Sequence, residues 1–115
     1  MPAADDCLFC KIVAGDVPAD VVAQTDDAVA FRDINPGAPT HALVVPRAHF
    51  ADAAALADSA PEALASLVRV ARDVARADGL ADYRLVFNTG PSAGQTVFHT
   101  HLHVLGGRAM TWPPG

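Results

Sequence analysis

From Val97 to Leu105 the chain reads Val-Phe-His-Thr-His-Leu-His-Val-Leu, with histidine at every second position from 99 to 103. On a β-strand successive side chains point to opposite faces, so His99, His101 and His103 line one face. Thr100, Leu102 and Val104 then point the other way, and the last two suit a core. Three imidazoles in register are not a packing choice. Each can act near neutral pH as hydrogen-bond donor, acceptor, nucleophile or metal ligand. Three readings fit: the polar face of a half-exposed strand, a catalytic metal site with three histidine ligands, or covalent catalysis with one histidine as nucleophile. Just upstream, Gly90-Pro91-Ser92-Ala93-Gly94-Gln95-Thr96 forms a loop able to present backbone N–H groups and a hydroxyl. Such a loop fits phosphate chemistry, where positioning and charge stabilisation carry most of the barrier reduction.

The remaining chain supplies the scaffold. Residues 1–6 read as a frayed tail. Cys7 to Ala14 predicts one or two helical turns, with Leu8, Ile12 and Val13 available to a core and Gly15 as the stop. Val21–Gln24 and Ala28–Arg32 predict a hairpin around Thr25-Asp26-Asp27. Asn35-Pro36-Gly37-Ala38-Pro39 is a loop by its turn residues, and Ala42–Val45 is a buried strand halted by Pro46. Ser59-Ala60-Pro61-Glu62 has the pattern of a capping box, with Ser59 as N-cap. Leu64, Leu67, Val68, Ala71, Val74 and Ala75 follow at the spacing of one helical face, ending near Gly79. Residues 83–88 and 97–105 complete the strands. The order predicts one α+β domain: an antiparallel sheet of about five strands with one long and one short helix.

Charge narrows the partners. The 115 residues carry a formal net charge of −5, with Lys and Arg scattered. A nucleic-acid polymer would gain little counterion release from such a surface. A small phosphate ligand is still open, because backbone N–H groups bind phosphate without net positive charge. No apolar run approaches the roughly 20 residues of a membrane span. The acidic N-terminus is not a signal peptide, so the expected compartment is the cytoplasm. The two cysteines, Cys7 and Cys10, stand as C-x-x-C. Without an export signal, that spacing reads as metal binding or redox chemistry before a structural disulfide.

The segment His99-Thr100-His101-Leu102-His103-Val104-Leu105 resembles the His-x-His-x-His-x-x pattern of the histidine-triad (HIT) superfamily, with Thr100 where the family has an apolar residue. The resemblance extends through Asp33-Ile34-Asn35-Pro36, Ala38-Pro39-Thr40-His41, Leu43-Val44-Val45-Pro46, His49 and Gly94-Gln95-Thr96-Val97-Phe98. The ending Val104-Leu105-Gly106-Gly107-Arg108 through Trp112-Pro113-Pro114-Gly115 is similar to the Hint branch, the histidine-triad nucleotide-binding proteins. The resemblance implies a hydrolase of purine nucleoside phosphoramidates or acyl-nucleotides that forms a nucleotidyl-histidine and needs no catalytic metal. It assigns His101 as the nucleophile and His103 as the ligand of the α-phosphate oxygens. Asp33 would hold the ribose hydroxyls and Ile34 pack beside the base. Asn88, Gly94, Gln95 and Thr96 would face the phosphate, Thr96 through the hydroxyl that assists the leaving group. His41, just before a strand, would support the triad by a hydrogen bond or serve structure alone. The resemblance further implies a homodimer whose sheets join, with residues 106–115 reaching the partner and Trp112 helping to choose its substrate.

Zinc-containing relatives in the superfamily imply a Cys₂His₂ site of Cys7, Cys10, His49 and His99, with zinc in a structural role. The spacing itself supports only the cysteine half, and the animal Hint pattern lacks the pair. Rival readings are a nucleotide sensor without turnover, a hydrolase with all three histidines on one metal, and a small C-x-x-C oxidoreductase. The last has little support, because the cysteines do not follow a strand in a βαβ unit.

Overall fold

Alternation along two neighbouring strands splits the apolar residues between two layers. The computed structural model describes residues 6–115, so the tail expected at 1–6 lies, except for Asp6, outside the described residues. Strands β1 (Val21–Gln24) and β2 (Ala28–Arg32) form the expected hairpin, and β3 (Thr40–Pro46) pairs antiparallel with β2. Ala28, Ala30, Ala42 and Val44 point to one side, Val29, Phe31, Leu43 and Val45 to the other. Strands β4 (Tyr83–Phe87) and β5 (Leu102–Gly106) complete a five-stranded antiparallel sheet in the order β1-β2-β3-β5-β4. The fold is α+β, as the element order implies.

Among the described residues three α-helices accompany the sheet, not two. The short α1 (Leu8–Ala14) is capped by the Cys7 side chain, and Gly15 ends it at φ 83°, a left-handed conformation that glycine adopts without strain. Phe9 and Cys10 are its buried residues, while Leu8 stands 45% exposed. This reverses the expected role of Leu8 as a core residue. The additional helix α2 (Ala53–Ser59) is capped by Asp52, whose side chain accepts from the Ala55 N–H. The long helix α3 (Pro61–Ala77) follows directly.

The capping box expected at Ser59 does not form. Ser59 is the last residue of α2, and Ala60 caps α3 with no side-chain hydrogen bond. The cause is Pro61, which pushes the preceding residue out of the helical region and breaks one helical run into two. Ala60 accordingly sits at φ −146° and ψ 67°. Along α3 the buried residues are Leu67, Val70, Ala71, Val74 and Ala75. Val70 takes the place expected of Val68, which is turned one residue round the helix and is 43% exposed. Just beyond α3, Asp78 accepts two bonds from Arg32 at 2.6 and 2.8 Å and one from the Thr40 hydroxyl at 2.8 Å. That fork ties the end of the long helix to β2 and β3, on the strands that carry the site.

The last strand is shorter than its alternation suggested. It begins at Leu102, not Val97. Its ladder with β3 runs from Thr40↔Gly106 to Val44↔Leu102, and the next residue of that face on β3 is Pro46, which has no N–H to donate. Phe50 instead accepts both the N–H and the hydroxyl of Thr100, at 2.7 and 3.0 Å, and residues 97–101 leave the sheet as an irregular arm. The alternation of sides survives this departure. Leu102 and Val104 lie fully buried beneath α3, and the three histidines face the α1 side. No helix among the described residues is long and apolar enough to cross a membrane.

Candidate active site and metal centre

The α1 face carries two clusters of donor atoms joined by the irregular arm. In the first, the Cys7 and Cys10 thiols and the Nδ1 atoms of His49 and His99 all lie within 4.8 Å of one another. His99 Nδ1 is 3.4 Å from both sulfurs and 3.2 Å from His49 Nδ1, and Cys10 Sγ is 3.3 Å from His49 Nδ1. Tetrahedral zinc with thiolate and imidazole ligands has ligand–ligand edges of about 3.4–3.8 Å. Those four distances match these edges within a few tenths of an ångström. Two soft sulfurs with two imidazoles are the donor set that suits zinc.

His99 is prepared for such a role. Its Nε2–H donates to the Pro46 carbonyl at 2.8 Å, which leaves the Nδ1 lone pair facing the cysteines. Burial, more than any neighbour, pushes its pKa down to about 4, so the ring is neutral at physiological pH.

The second cluster lines a cavity of about 350 Å³ between α1, the start of the β1 hairpin and the arm. His101 and His103 stand on its wall, together with Asp33, Ile34, Thr96 and the apolar Phe9 and Phe31. Two tautomers are fixed here by protein bonds. His101 Nδ1–H donates to the His99 carbonyl at 2.8 Å, which leaves Nε2 with a lone pair. For His103 the logic starts at Gly37, whose backbone N–H donates to His41 Nδ1 at 2.9 Å. His41 therefore carries its proton on Nε2 and donates it to His103 Nδ1, also at 2.9 Å. The proton of His103 must then sit on Nε2. That atom is buried with no protein partner among the described residues, a costly state unless an acceptor meets it. Asp33 Oδ2 lies 3.4 Å from His41 Nε2 and supports the same arrangement by its charge.

The remaining expected site residues fall around these two clusters. Ile34 is 91% exposed at the cavity mouth, and Asp33 Oδ1 already accepts the Asn35 N–H at 2.9 Å. Asn88 lies beside Gly94, whose φ of +96° turns the loop past it. In this conformation the loop uses the Gly94 and Gln95 N–H groups on its own Pro91 and Gly90 carbonyls. The buried Gln95 side chain accepts from Gly90 N–H and donates to the Ala51 and Val97 carbonyls, so it shapes the loop. Trp112 lies along β4, beside residues 84–88 and away from the cavity of its own chain. A single metal on all three triad histidines fails on geometry, because His99 turns to the cysteines while His103 turns to His41.

Sequence reasoning missed Phe9. Its ring meets His101 edge-on, with centroids 5.0 Å apart and planes at 79°, and also packs on Phe31 and His99. The available signal was its place between the two cysteines: any site that gathers Cys7 and Cys10 carries Phe9 in with them.

The chain belongs to the HIT domain family, whose pattern it matches over residues 14–110. It is 46% identical to the 14 kDa zinc-binding protein of Zea mays, over 94% of this chain and 87% of the relative. Among solved structures, the HIT family hydrolase from Legionella pneumophila Philadelphia 1 superposes with a TM-score of 0.91. That match has 51% identity and covers 96% of this chain and 100% of the other. The HIT family hydrolase from Clostridium thermocellum also gives 0.91, at 39% identity over 95% and 96% of the two chains.

Burial of His103 yields a direct check on its tautomer. Desolvation comes first, then the neighbouring imidazoles of His101 and His41, and together they outweigh Asp33 and push its pKa down to about 4. An unfolded histidine takes up its proton near pH 6.5. The stability gained from burying the neutral ring is therefore full above that pH and is lost as pH falls toward 4. Nitrogen-15 spectra should show His103 neutral and protonated on Nε2 from pH 8 down to pH 5.5. A signal titrating near pH 6.5 would refute the Gly37–His41–His103 relay.

Proposed function

We propose that this chain is a cytoplasmic hydrolase of purine nucleoside 5′-phosphoramidates or acyl-nucleotides, acting through a covalent intermediate on His101. The observation that carries the reading is the pair of complementary tautomers on two rings that line one cavity: a lone pair at His101 Nε2 and a buried, unpartnered proton at His103 Nε2. A phosphate group needs both, one atom to attack phosphorus and one to hold its oxygen.

In this reading the base lies among Phe9, Phe31 and Ile34, and Asp33 accepts from the ribose hydroxyls. Thr96 forms the phosphate side, with Asn88, Gly94 and Gln95 shaping the loop behind it. His101 Nε2 attacks the α-phosphorus, and the bond from phosphorus to the leaving nitrogen or acyl oxygen breaks with its electron pair. The Thr96 hydroxyl relays a proton from solvent water to the departing amine, while His103 Nε2–H bonds the phosphate oxygen. Water then displaces His101 from phosphorus, releasing a nucleoside monophosphate and restoring the neutral ring. No metal takes part in these steps. Zinc at Cys7, Cys10, His49 and His99 is structural, a reading supported by the donor geometry and by the zinc-binding maize relative.

The active form is a homodimer in which the β4 edges pair and each Trp112 enters the partner's cavity. Support comes from β4 ending the sheet, with Tyr83 and Leu85 part-exposed and Trp112 82% exposed beside it.

Three outcomes are expected. The wild type should hydrolyse adenosine 5′-phosphoramidate, and His101→Asn should lose at least about a thousandfold in kcat while still binding AMP. Equal rates in the two proteins, or AMP binding without turnover in the wild type, would leave a nucleotide-binding module. Purified protein should carry one zinc per chain, and Cys10→Ser should lose it, as read by a chromogenic chelator; protein that neither holds nor takes up zinc would sink the metal reading. Sedimentation should give the mass of two chains, and a single-chain mass would remove the dimer.

A further inference from the structure

The metal centre and the cavity lie back to back on the same pieces of chain. Leu8, Thr96 and Val97 line the nucleotide cavity on one side and, on the other, a pocket of about 370 Å³ that opens onto Cys7 and His49. Two further links are specific to His101. The first is backbone: the carbonyl that holds His101 Nδ1–H belongs to His99, whose ring is a donor of the cluster. The second is packing: Phe9, carried between the two cysteine donors on one helical turn, presses edge-on against the His101 ring. His101 is thus held in tautomer by one member of the cluster and in ring plane by the turn that joins two others.

Helix α1 has little else to hold it. It is only seven residues long, well below the length at which a helix is stable in isolation. Its contacts are the small apolar layer of Phe31, Leu43, Val45 and Val29 and the histidine donors. Without a cation, only weak thiol–imidazole contacts of 3.3–3.4 Å hold the four donors together. The cluster and α1 would then relax together, and with them the Phe9 wall.

The geometry points to the Cys7–Cys10–His49–His99 cluster as a positioning device for the cavity: a zinc ion held there and a purine nucleotide bound at His101 strengthen each other's binding. This rests on the nucleotide reading above. The coupling is reciprocal by thermodynamic necessity, so zinc tightens the nucleotide by the factor by which the nucleotide tightens zinc. Phe9 is the positioning residue that transmits it.

Reciprocity supplies the test. AMP affinity is measured by calorimetry on zinc-loaded and zinc-stripped protein, and zinc affinity by chelator competition with and without AMP. Stripping should weaken AMP about tenfold, and AMP should tighten zinc by the same factor. Phe9→Leu should retain zinc but shrink both factors to less than twofold. AMP affinities equal within twofold in loaded and stripped wild type would overturn the coupling while leaving the nucleotide reading intact. Failure of the zinc-loaded protein to bind AMP would remove both. Should circular dichroism show the stripped chain unfolded, the cobalt(II)-loaded protein replaces it. Saturating AMP should then shift the visible bands of the tetrahedral cobalt centre in the wild type and leave them unmoved in Phe9→Leu. Bands unmoved by AMP in the wild type would overturn the coupling.

Discussion

The end of the β3–β5 ladder at Pro46 is the constraint on which the site depends. Proline offers no N–H, so the strand pairing stops at Val44↔Leu102 and the chain before Leu102 leaves the sheet. Pro46 retains its carbonyl, which His99 Nε2–H takes. The Phe50 carbonyl takes the N–H and hydroxyl of Thr100. Those bonds fold residues 97–101 into an arm with its own geometry. Had the strand continued to Val97, the backbone carbonyl of His99 would have belonged to the ladder or its edge. Off the sheet, it is available to fix the tautomer of His101.

In the nucleotide reading proposed above, the phosphate would be held by a neutral imidazole, His103, and not by a cation. The whole chain is acidic, with a formal net charge of −5. His99 and His103 are neutral, each held near pKa 4 chiefly by burial. In that reading recognition rests on an oriented N–H dipole, the buried His103 Nε2–H that the Gly37–His41–His103 relay fixes. A neutral donor fixed in place costs no reorganisation when charge develops on the ligand.

Much of this was legible in residue pattern. The hairpin, the antiparallel order and the long helix follow from alternation and helical spacing, because both periods are set by backbone geometry and need no partner to be read. Misreadings cluster where one residue had two competing roles. Ser59 carries a capping signal, yet Asp52 starts a helix earlier and Pro61 divides the run, so Ser59 ends α2 instead of starting α3. Leu8 looks like core but stands at the cavity rim, while Phe9 occupies the interior. In a seven-residue helix a shift of one position moves a side chain by 100°, and the apolar count is too small to fix the phase.

By itself the sequence determined the chemistry at hand: three histidines on one face, a C-x-x-C pair, a glycine-containing loop and a formal net charge of −5. Those properties belong to residue identity and local period. Which tautomer each histidine takes was decided only by tertiary structure. His99, His101 and His103 are chemically the same, and they differ because Pro46 O takes the Nε2 proton of His99, the His99 carbonyl takes the Nδ1 proton of His101, and His41 donates to Nδ1 of His103. Those partners lie 53, 2 and 62 residues away along the chain. An imidazole has two nitrogens and one proton when neutral, so its role is set by whichever partner claims that proton, and folding alone brings the partners there.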